Sequence, residues 1–187
     1  MFEIEIKAWL DNPSETEQKL ASFAEYRGKS FKTDWYWYEE NRKLKIRIRE
    51  EKFISESNVE KNSLYVTSKT KTVSDGMEVN SENEFKISDK SAFETFLKAA
   101  GFKLQSTKNK ISKKFYSQNC HIELVEIEGV GQFIEAEILS PSNEQSVVEE
   151  NRRTLLGLLE QCNVPPSNVE PRFYSDLIAN KINSKNR

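Results

Sequence analysis

The chain has 187 residues, of which 36% are hydrophobic and 31% are charged, and its formal net charge is -2. This length is enough for a hydrophobic core, and the balanced charge argues against a nucleic-acid-binding protein. No apolar stretch approaches the length of a membrane span and the N-terminal segment does not resemble a signal peptide, so we expect a cytoplasmic protein that does not bind membranes.

The residue types that commonly bind zinc or act as nucleophiles are few in this sequence. Cys120 and Cys162 lack the spacing of a zinc site, and free thiols agree with an intracellular location. His121 is the only histidine, and no pattern around it supports a Ser–His pair or a zinc site. We therefore interpret His121 as a structural residue.

The N-terminal half is predicted to contain one helix among several strands. In "FEIEIKAWL", apolar and charged residues alternate with the period of two that is typical of a strand. A helix is predicted over 12–28, with a capping box formed by Ser14 and Glu17 and an end at Gly28. Further strands are predicted in "FKTDWYWYE", "KLKIRIREE", "LYVTSKTKT" and "MEVNSENEFKIS", with a loop at 55–63 and a turn at Asp75 and Gly76.

The C-terminal half continues with helices and strands in alternation. A helix is predicted over 89–101, with Asp89 or Ser91 as its cap and Gly101 at its end. Two strands follow within 102–127, and the turn "GVG" leads into the strand "FIEAEIL". Helices are then predicted over 143–162 and 173–182, followed by a frayed tail at 183–187. We expect residues 1–187 to form a single domain.

About eight strands with few helices predict an α+β fold, namely a closed or nearly closed antiparallel eight-stranded β-barrel flanked by helices. Carboxylates would share one face of the first, middle and last strands, and cations would share one face of "KLKIRIREE" and "VTSKTKT". If these faces point inward, the barrel is a solvated tunnel for a charged ligand. A triphosphate with its divalent metal would satisfy both sets of charges, because phosphates bind lysine and arginine while carboxylates bind Mg²⁺ or Mn²⁺.

A simpler alternative is that several of these strands lie on a flat sheet with one face in water. The aromatic residues Trp35, Trp37 and Tyr65 could form a pocket for a nucleobase or a thiamine ring. A role in the hydrophobic core is the interpretation that we favour for each of them.

The order of motifs resembles that of the CYTH family, also called triphosphate tunnel metalloenzymes. "EIEIK" resembles the E-x-E-x-K signature that opens this family. "TDWYWYEENRKLKIRIRE" is similar to its aspartate–aromatic strand and the R-x-R strand that follows. "VTSKTKT" stands where the family has a substrate lysine, "GVGQFIEAEI" resembles G-L-G-x-F-x-E-x-E, and "EPRFYSDLI" resembles the end of class IV adenylyl cyclases.

This resemblance implies roles for individual residues. The catalytic residues would be Glu3, Glu5 and Lys7. The metal ligands for Mg²⁺ or Mn²⁺ would be Glu3, Glu5, Glu82, Glu84, Glu135 and Glu137. The residues that bind substrate would be Lys7, Arg47, Arg49, Lys69, Lys71, Lys110, Lys113 and Arg172. The register of the lysine-rich strand leaves Lys108 and Lys114 as alternatives.

The resemblance implies an enzyme most similar to a class IV adenylyl cyclase, which converts ATP to cyclic AMP and pyrophosphate. The alternatives are a triphosphatase acting on inorganic triphosphate, thiamine triphosphate or a nucleoside triphosphate, and a non-catalytic binder of nucleotide or polyphosphate. The chain departs from the family at Val125, where an aspartate is expected, and Glu123 or Glu126 could take its place. The expected partners are small-molecule triphosphates, with a homodimer left open.

Overall fold

The computed structural model describes residues 2–41, 44–74 and 77–178, with the side chains of 69–74, 77–78 and 80–82 outside the description. The strands are β1 (Phe2–Trp9), β2 (Glu25–Glu39), β3 (Leu44–Ser55), β4 (Glu60–Ser74), β5 (Met77–Lys86), β6 (Lys103–Ser117), β7 (Cys120–Ile127) and β8 (Gly131–Ser140). The helices are α1 (Pro13–Phe23), α2 (Lys90–Ala99) and α3 (Gln145–Gln161), followed by a 3₁₀ turn (Pro166–Asn168) and by helical residues 174–178, here called α4. The turn predicted at Asp75 and Gly76 and the predicted tail at 183–187 lie outside the described residues.

The strands form a closed barrel in the order β1-β5-β4-β3-β2-β6-β7-β8. Every pairing between neighbours is antiparallel, and β1 closes the barrel because it pairs with both β5 and β8. The predicted α+β fold with an eight-stranded antiparallel barrel is therefore confirmed. Among the described residues, no helix has the length and apolar character that a membrane crossing requires.

The apolar faces of the strands pack outward against helices. Ile4 and Ile6 of β1 are buried in a cluster that also contains Leu20 of α1 and Leu155 of α3. On the other side of the barrel, Leu97 of α2 joins a second outer cluster. Since side chains alternate along a strand, this outward packing directs the charged residues of the same strands into the barrel.

The second outer cluster contains Trp37, which is 2% exposed, with Trp35 packed against it. The core interpretation of these two tryptophans is therefore confirmed. Tyr65 differs, because it lies opposite Arg49 in the register of β3 and β4 and so shares the inner face of the barrel. The core interpretation of Tyr65 is wrong.

The helix predicted over 12–28 is shorter than expected, because α1 ends at Phe23 and Gly28 lies inside β2. Gly28 has a φ of 134° at a β-bulge against β6, and a Cβ there would lie 2.2 Å from the carbonyl oxygen of Ile54. The glycine is therefore needed for close strand approach rather than to end the helix. The cap of α1 is Asn12, whose side chain accepts from the backbone of Glu15, in place of the predicted capping box.

Residues 169–172 cross the end of β1, and we call this segment the C-terminal strap. Val169 forms a β-bridge with Ala8, and the backbone N–H of Glu170 donates to the carbonyl oxygen of Lys7 at 2.8 Å. The buried Glu170 carboxylate accepts from Trp9 Nε1 at 2.9 Å. The strap leads into α4, whose Leu177 packs in an apolar cluster at the inner end of the barrel.

We expect Ile4→Asp to unfold or aggregate the protein. Ile4 is fully buried against the helices, and an unpaired carboxylate there would cost on the order of 4 kcal/mol or more. Circular dichroism and thermal melting check this outcome. Glu5→Gln, on the opposite face of the same strand, is the control and should leave the melting temperature nearly unchanged. A soluble Ile4→Asp protein with an unchanged melting temperature would contradict the assignment of the two faces.

Candidate functional site

A cavity of about 560 Å³ lies inside the barrel and extends to α4. Its lining is dominated by charged side chains from seven of the eight strands. The carboxylates are Glu3, Glu5, Glu51, Glu84, Glu123, Glu135 and Glu137. The cations are Lys7, Lys32, Lys45, Arg47, Arg49, Lys108, Lys110 and Lys114. This lining shows that the alternation predicted for β1, β3 and β8 places their charges inward.

Strand register brings the carboxylates of β1, β7 and β8 together. Glu5 lies opposite Glu137, and Lys7 lies opposite Glu135, which in turn lies opposite Glu123. Directly opposed residues on one face have side chains that can interact. The pairing of β1 with β8 and of β8 with β7 therefore builds an acidic wall around the ammonium group of Lys7.

Glu123 lies at the centre of an ion-pair network. It accepts from Lys32 Nζ at 2.8 Å and pairs with Lys110 Nζ at 2.9 Å. Burial would raise the pKa of Glu123, but the nearby ammonium groups outweigh this effect and hold the pKa well below its usual value. Lys110 also pairs with Glu135, so one lysine bridges two carboxylates.

The lysines of this network have opposite pKa shifts. Burial lowers the pKa of Lys32 to about 8, because the attraction of Glu123 only partly offsets the cost of desolvation. Lys110 is equally enclosed, but its two carboxylate partners Glu123 and Glu135 overcome burial and raise its pKa. Lys110 is therefore held in its charged form, whereas burial makes the charged form of Lys32 less favourable.

Asp34 of β2 is fully buried and is surrounded by cations. It accepts from Arg49 Nε at 2.6 Å and from Arg49 Nη2 at 2.9 Å, and it pairs with Lys108 Nζ at 3.2 Å. The Tyr36 hydroxyl donates to the same carboxylate at 3.2 Å. Burial would raise the pKa of Asp34, but Arg49 and Lys108 hold it well below its usual value. Asp34 is therefore ionised.

A second arginine of β3 has its own partners on β4 and β5. Arg47 Nη2 donates to the Thr67 hydroxyl at 3.0 Å and lies 3.5 Å from the Glu84 carboxylate. The same hydroxyl donates to Glu84 at 2.8 Å. The two arginines of the R-x-R pattern thus enter the cavity with different acidic partners.

The C-terminal strap and α4 contact the cavity directly. Lys7 Nζ donates to the carbonyl oxygen of Arg172 at 2.6 Å and lies 4.6 Å from the centre of the Tyr174 ring. The Tyr174 hydroxyl donates to Glu135 at 2.6 Å. Burial and the adjacent Glu135 carboxylate raise the pKa of this phenol. Both oxygens of Glu135 are therefore engaged, one by Tyr174 and the other by Lys110.

Most residues predicted for the site line the cavity. Those that do are Glu3, Glu5, Lys7, Arg47, Arg49, Glu84, Lys110, Glu135 and Glu137. The predictions for Lys69, Lys71 and Glu82 concern side chains outside the description, although the register of β4 and β5 places Lys69 opposite Glu82.

Two predicted site residues lie elsewhere. Lys113 points outward and pairs with Glu17 of α1 at 2.6 Å, with 42% of its side chain exposed, so its assignment to the tunnel is wrong. The side chain of Arg172 pairs with Glu170 at 2.5 Å and is 54% exposed. The carbonyl oxygen of Arg172 therefore binds the cavity residue Lys7, whereas its guanidinium group binds Glu170.

The expected aspartate is replaced by a truly apolar residue. Val125 is 2% exposed and packs in the apolar cluster with Phe133 and Leu177. Of the two carboxylates that could take its place, Glu126 is exposed and absent from the cavity lining, whereas Glu123 lies inside. Only Glu123 is positioned to replace the aspartate, and the lysines described above already neutralise it.

Several residues of the site were missed from the sequence. They are Lys32, Asp34, Tyr36, Lys45, Glu51 and Tyr174. The usable signal was the alternation Lys32, Asp34, Tyr36 in β2, which places these residues on one face beside Arg49. The aromatic character of "DWYWY" obscured it.

The acidic wall fits a divalent cation that is held together with a phosphate. Among the described residues, no three carboxylate, histidine or cysteine side chains converge closely enough to hold a metal ion by themselves. Mg²⁺ commonly uses only one or two carboxylates, with waters and substrate phosphates as its other ligands. Glu3, Glu5 and Glu137 supply oxygen donors of this kind along the cavity wall.

We expect acid to weaken the fold partly through Glu135. Burial would raise the pKa of Glu135, but Lys110 and the Tyr174 hydroxyl lower it from 4.5 to about 2. A lowered carboxyl pKa contributes stability that is present above about pH 4.5 and is lost as the pH falls towards 2. In melting curves recorded over this range, Glu135→Gln should lose less stability than the wild-type protein. Glu126→Gln is the exposed control, and an equal loss in all three proteins would contradict the expectation.

Comparison with known proteins agrees with this geometry. The sequence matches the CYTH domain over residues 1–174, and a comparison with curated proteins found no match. The structure is similar to the PH1819 protein from Pyrococcus horikoshii OT3, with 26% identity and a TM-score of 0.82 over 96% of this chain and 99% of that chain.

Two more distant structures share the fold. A Vibrio parahaemolyticus protein provisionally assigned as an adenylate cyclase is 17% identical, with a TM-score of 0.73 over 96% of this chain and 98% of that chain. A Hippeastrum protein provisionally assigned as an adenylyl cyclase, with a dominant triphosphatase activity, is 18% identical, with a TM-score of 0.59 over 87% of this chain and 89% of that chain. Since the family match spans residues 1–174 and includes the strands that line the cavity, the chain belongs to the CYTH domain family.

Proposed function

We propose that the chain is a divalent-metal-dependent enzyme of phosphoryl chemistry that holds a triphosphate inside the barrel. The observation that carries this proposal is the dense pairing of cations with carboxylates in one cavity of about 560 Å³. Burying ion pairs costs desolvation energy and adds little net stability. A ligand that exploits both charges explains the arrangement better than a structural role does.

A triphosphate would replace the carboxylates as the partner of the cations. Lys110 now bridges Glu123 and Glu135, and Lys114 pairs with Glu51 at 2.7 Å. Phosphate oxygens compete well for these groups, because charge-assisted hydrogen bonds to phosphate are strong. The displaced Glu123 and Glu135 would then add oxygen donors for a divalent cation beside Glu3, Glu5 and Glu137.

The two ligands are therefore expected to bind cooperatively. The metal ion neutralises the carboxylates that the triphosphate has displaced from their lysines. The triphosphate in turn neutralises the lysines and arginines that lose a carboxylate partner to the metal. Linkage requires this coupling to be reciprocal. We infer that neither ligand alone binds as tightly as the pair.

Each group has a role in this proposal. Lys7, Arg47, Arg49, Lys108, Lys110 and Lys114 would hold phosphate oxygens and neutralise charge that develops during phosphoryl transfer. Glu3, Glu5 and Glu137 would hold Mg²⁺ or Mn²⁺. A bound cation of this type supplies Lewis-acid polarisation of the phosphoryl oxygens. Tyr174 and the C-terminal strap would exclude water from the side of the cavity that they cover.

Hydrolysis of a triphosphate is the reaction that the described lining supports best. The charged side chains of the lining suit a phosphate chain. Of the three aromatic candidates for a base pocket, Trp35 and Trp37 pack outside the barrel, and Tyr65 is not among the described residues that line the cavity. Cyclisation of ATP is the second candidate. It is favoured by the apolar side chains of Phe173 and Ile178 at the cavity wall, since a nucleobase needs apolar surface.

One experiment tests both candidates. The protein is incubated with Mg²⁺ or Mn²⁺ and with ATP, inorganic triphosphate or thiamine triphosphate, and the products are identified by chromatography. Release of orthophosphate supports the triphosphatase, and cyclic AMP with pyrophosphate supports the cyclase. Binding of triphosphate without any product would support a non-catalytic binder and would contradict the enzyme.

We expect Lys110→Met to weaken triphosphate binding by roughly tenfold to a hundredfold, because it removes charge-assisted contacts worth about 1.5–3 kcal/mol. Lys113→Met is the matched control, since Lys113 lies on the same strand and points outward. Isothermal titration with inorganic triphosphate measures both variants. Equal affinities would place the substrate away from Lys110.

We expect Glu5→Gln to reduce metal-dependent turnover by on the order of 100-fold while the metal-free protein keeps its stability. Glu5 lies opposite Glu137, so removing one negative charge relieves repulsion. Turnover is measured against metal concentration, and melting curves are recorded in EDTA. Full activity in Glu5→Gln would exclude a role for this carboxylate in holding the metal.

A further inference from the structure

Asp34 has an unusual position for a carboxylate in an anion-binding cavity. It is fully buried in the wall, and both of its oxygens bind cationic groups that line the cavity. Arg49 Nη2 lies 2.9 Å from Oδ2, and Lys108 Nζ lies 3.2 Å from the same oxygen. These two cationic nitrogens contact the same oxygen, so the distance between them cannot exceed the sum of the two contact distances.

We propose that Asp34 is a positioning residue that holds Arg49 and Lys108 together as a preformed pair for adjacent phosphoryl groups. This inference rests on the proposed triphosphate substrate. Two cations at this separation repel each other, and they are brought together only because a negative charge lies between and behind them. Asp34 supplies that charge from a site that the substrate does not need to occupy.

The donor geometry of Arg49 supports this role. A guanidinium group has five N–H donors, and Asp34 engages donors on Nε and Nη2. The Nη1 donors are on the side away from this contact, in a side chain that is 15% exposed. Fixing one edge of the guanidinium group orients the other edge for a phosphate, without a rotamer search when the substrate enters.

Tyr36 fixes the carboxylate in turn. Its hydroxyl donates to Asp34 Oδ2 at 3.2 Å, and its ring centre lies 5.6 Å from Lys108 Nζ. Tyr174 contacts the same ammonium from α4, with its ring centre 5.1 Å away. The ammonium of Lys108 is therefore confined by one carboxylate and two aromatic rings, which restricts where it can meet a phosphate.

The proposal predicts a result opposite in sign to simple electrostatics. If Asp34 were only a competing counter-ion, Asp34→Asn would make the cavity more positive and would tighten triphosphate binding. If Asp34 positions the pair, Asp34→Asn lets Arg49 and Lys108 separate, and the affinity for inorganic triphosphate should fall about tenfold or more. Titration calorimetry with inorganic triphosphate and Mg²⁺ measures the difference.

Glu51→Gln is the comparison variant. Glu51 pairs with Lys114 at 2.7 Å and with no second cavity cation at such a distance among the described contacts. Glu51→Gln removes the counter-ion of a single cation, so it shows how the affinity for inorganic triphosphate responds when no pair of cations is disturbed. Asp34→Asn could instead bind inorganic triphosphate as tightly as the wild-type protein or more tightly. If Glu51→Gln changes the affinity in the same way, the role proposed for Asp34 is overturned. Failure of the wild-type protein to bind triphosphate would instead overturn the proposed function.

A double-mutant cycle covers the case in which Asp34→Asn does not fold. Arg49→Lys and Lys108→Met are then measured singly and together for triphosphate affinity, with melting curves as a check on folding. If the two cations act as one pair, the double variant loses clearly less than the product of the two single losses. Strictly multiplicative losses would show two independent contacts and would overturn the proposal.

Discussion

The structure depends on the burial of opposite charges inside a closed barrel. The interior of an eight-stranded barrel is just wide enough to be filled by side chains or to hold one small ligand. Here the apolar faces pack outward on helices, and Glu123, Lys110 and Glu135 form a chain of ion pairs in the interior. Such pairs add little stability, so the stability of the fold rests on the outer clusters while the interior remains available for a ligand. The separation of these two tasks explains why a charged cavity is compatible with a stable domain.

The sequence was sufficient where a strand alternates without interruption. In β1, in β8 and in the "KIRIR" part of β3, charged residues alternate with apolar ones, so the inner face follows from parity alone. In β6 the lysines occupy both parities, and only pairing with β2 and β7 shows that Lys110 points inward and Lys113 outward. Asp34 was missed because local patterns do not distinguish a carboxylate buried between cations from an exposed one. Gly28 was misassigned because the carbonyl of Ile54, which excludes a side chain there, is distant in sequence.

The family match and the contacts inside the cavity answer different questions about this protein. The CYTH match over residues 1–174 shows the family of the chain, and the closed barrel agrees with it. It does not distinguish attack on a terminal phosphorus from attack on an α-phosphorus, because both use the same cations and carboxylates. Val125, at the position where the family resemblance predicts an aspartate, packs in an apolar cluster that includes Leu177 of α4.

The pairing of the first strand has a consequence for how the chain folds. β1 pairs with β5 and β8, and the side chains of Lys7 and Trp9 donate hydrogen bonds to residues 170–172. During synthesis β1 is therefore made before either of its partners, and its edge towards β8 stays unpaired until that strand has been synthesised. Contacts of such sequence separation slow folding, and an unpaired strand edge invites association with other chains. The alternating charges of "EIEIK" give this waiting strand a soluble face, so the carboxylates and the lysine proposed to act in the mature cavity would also protect the nascent chain.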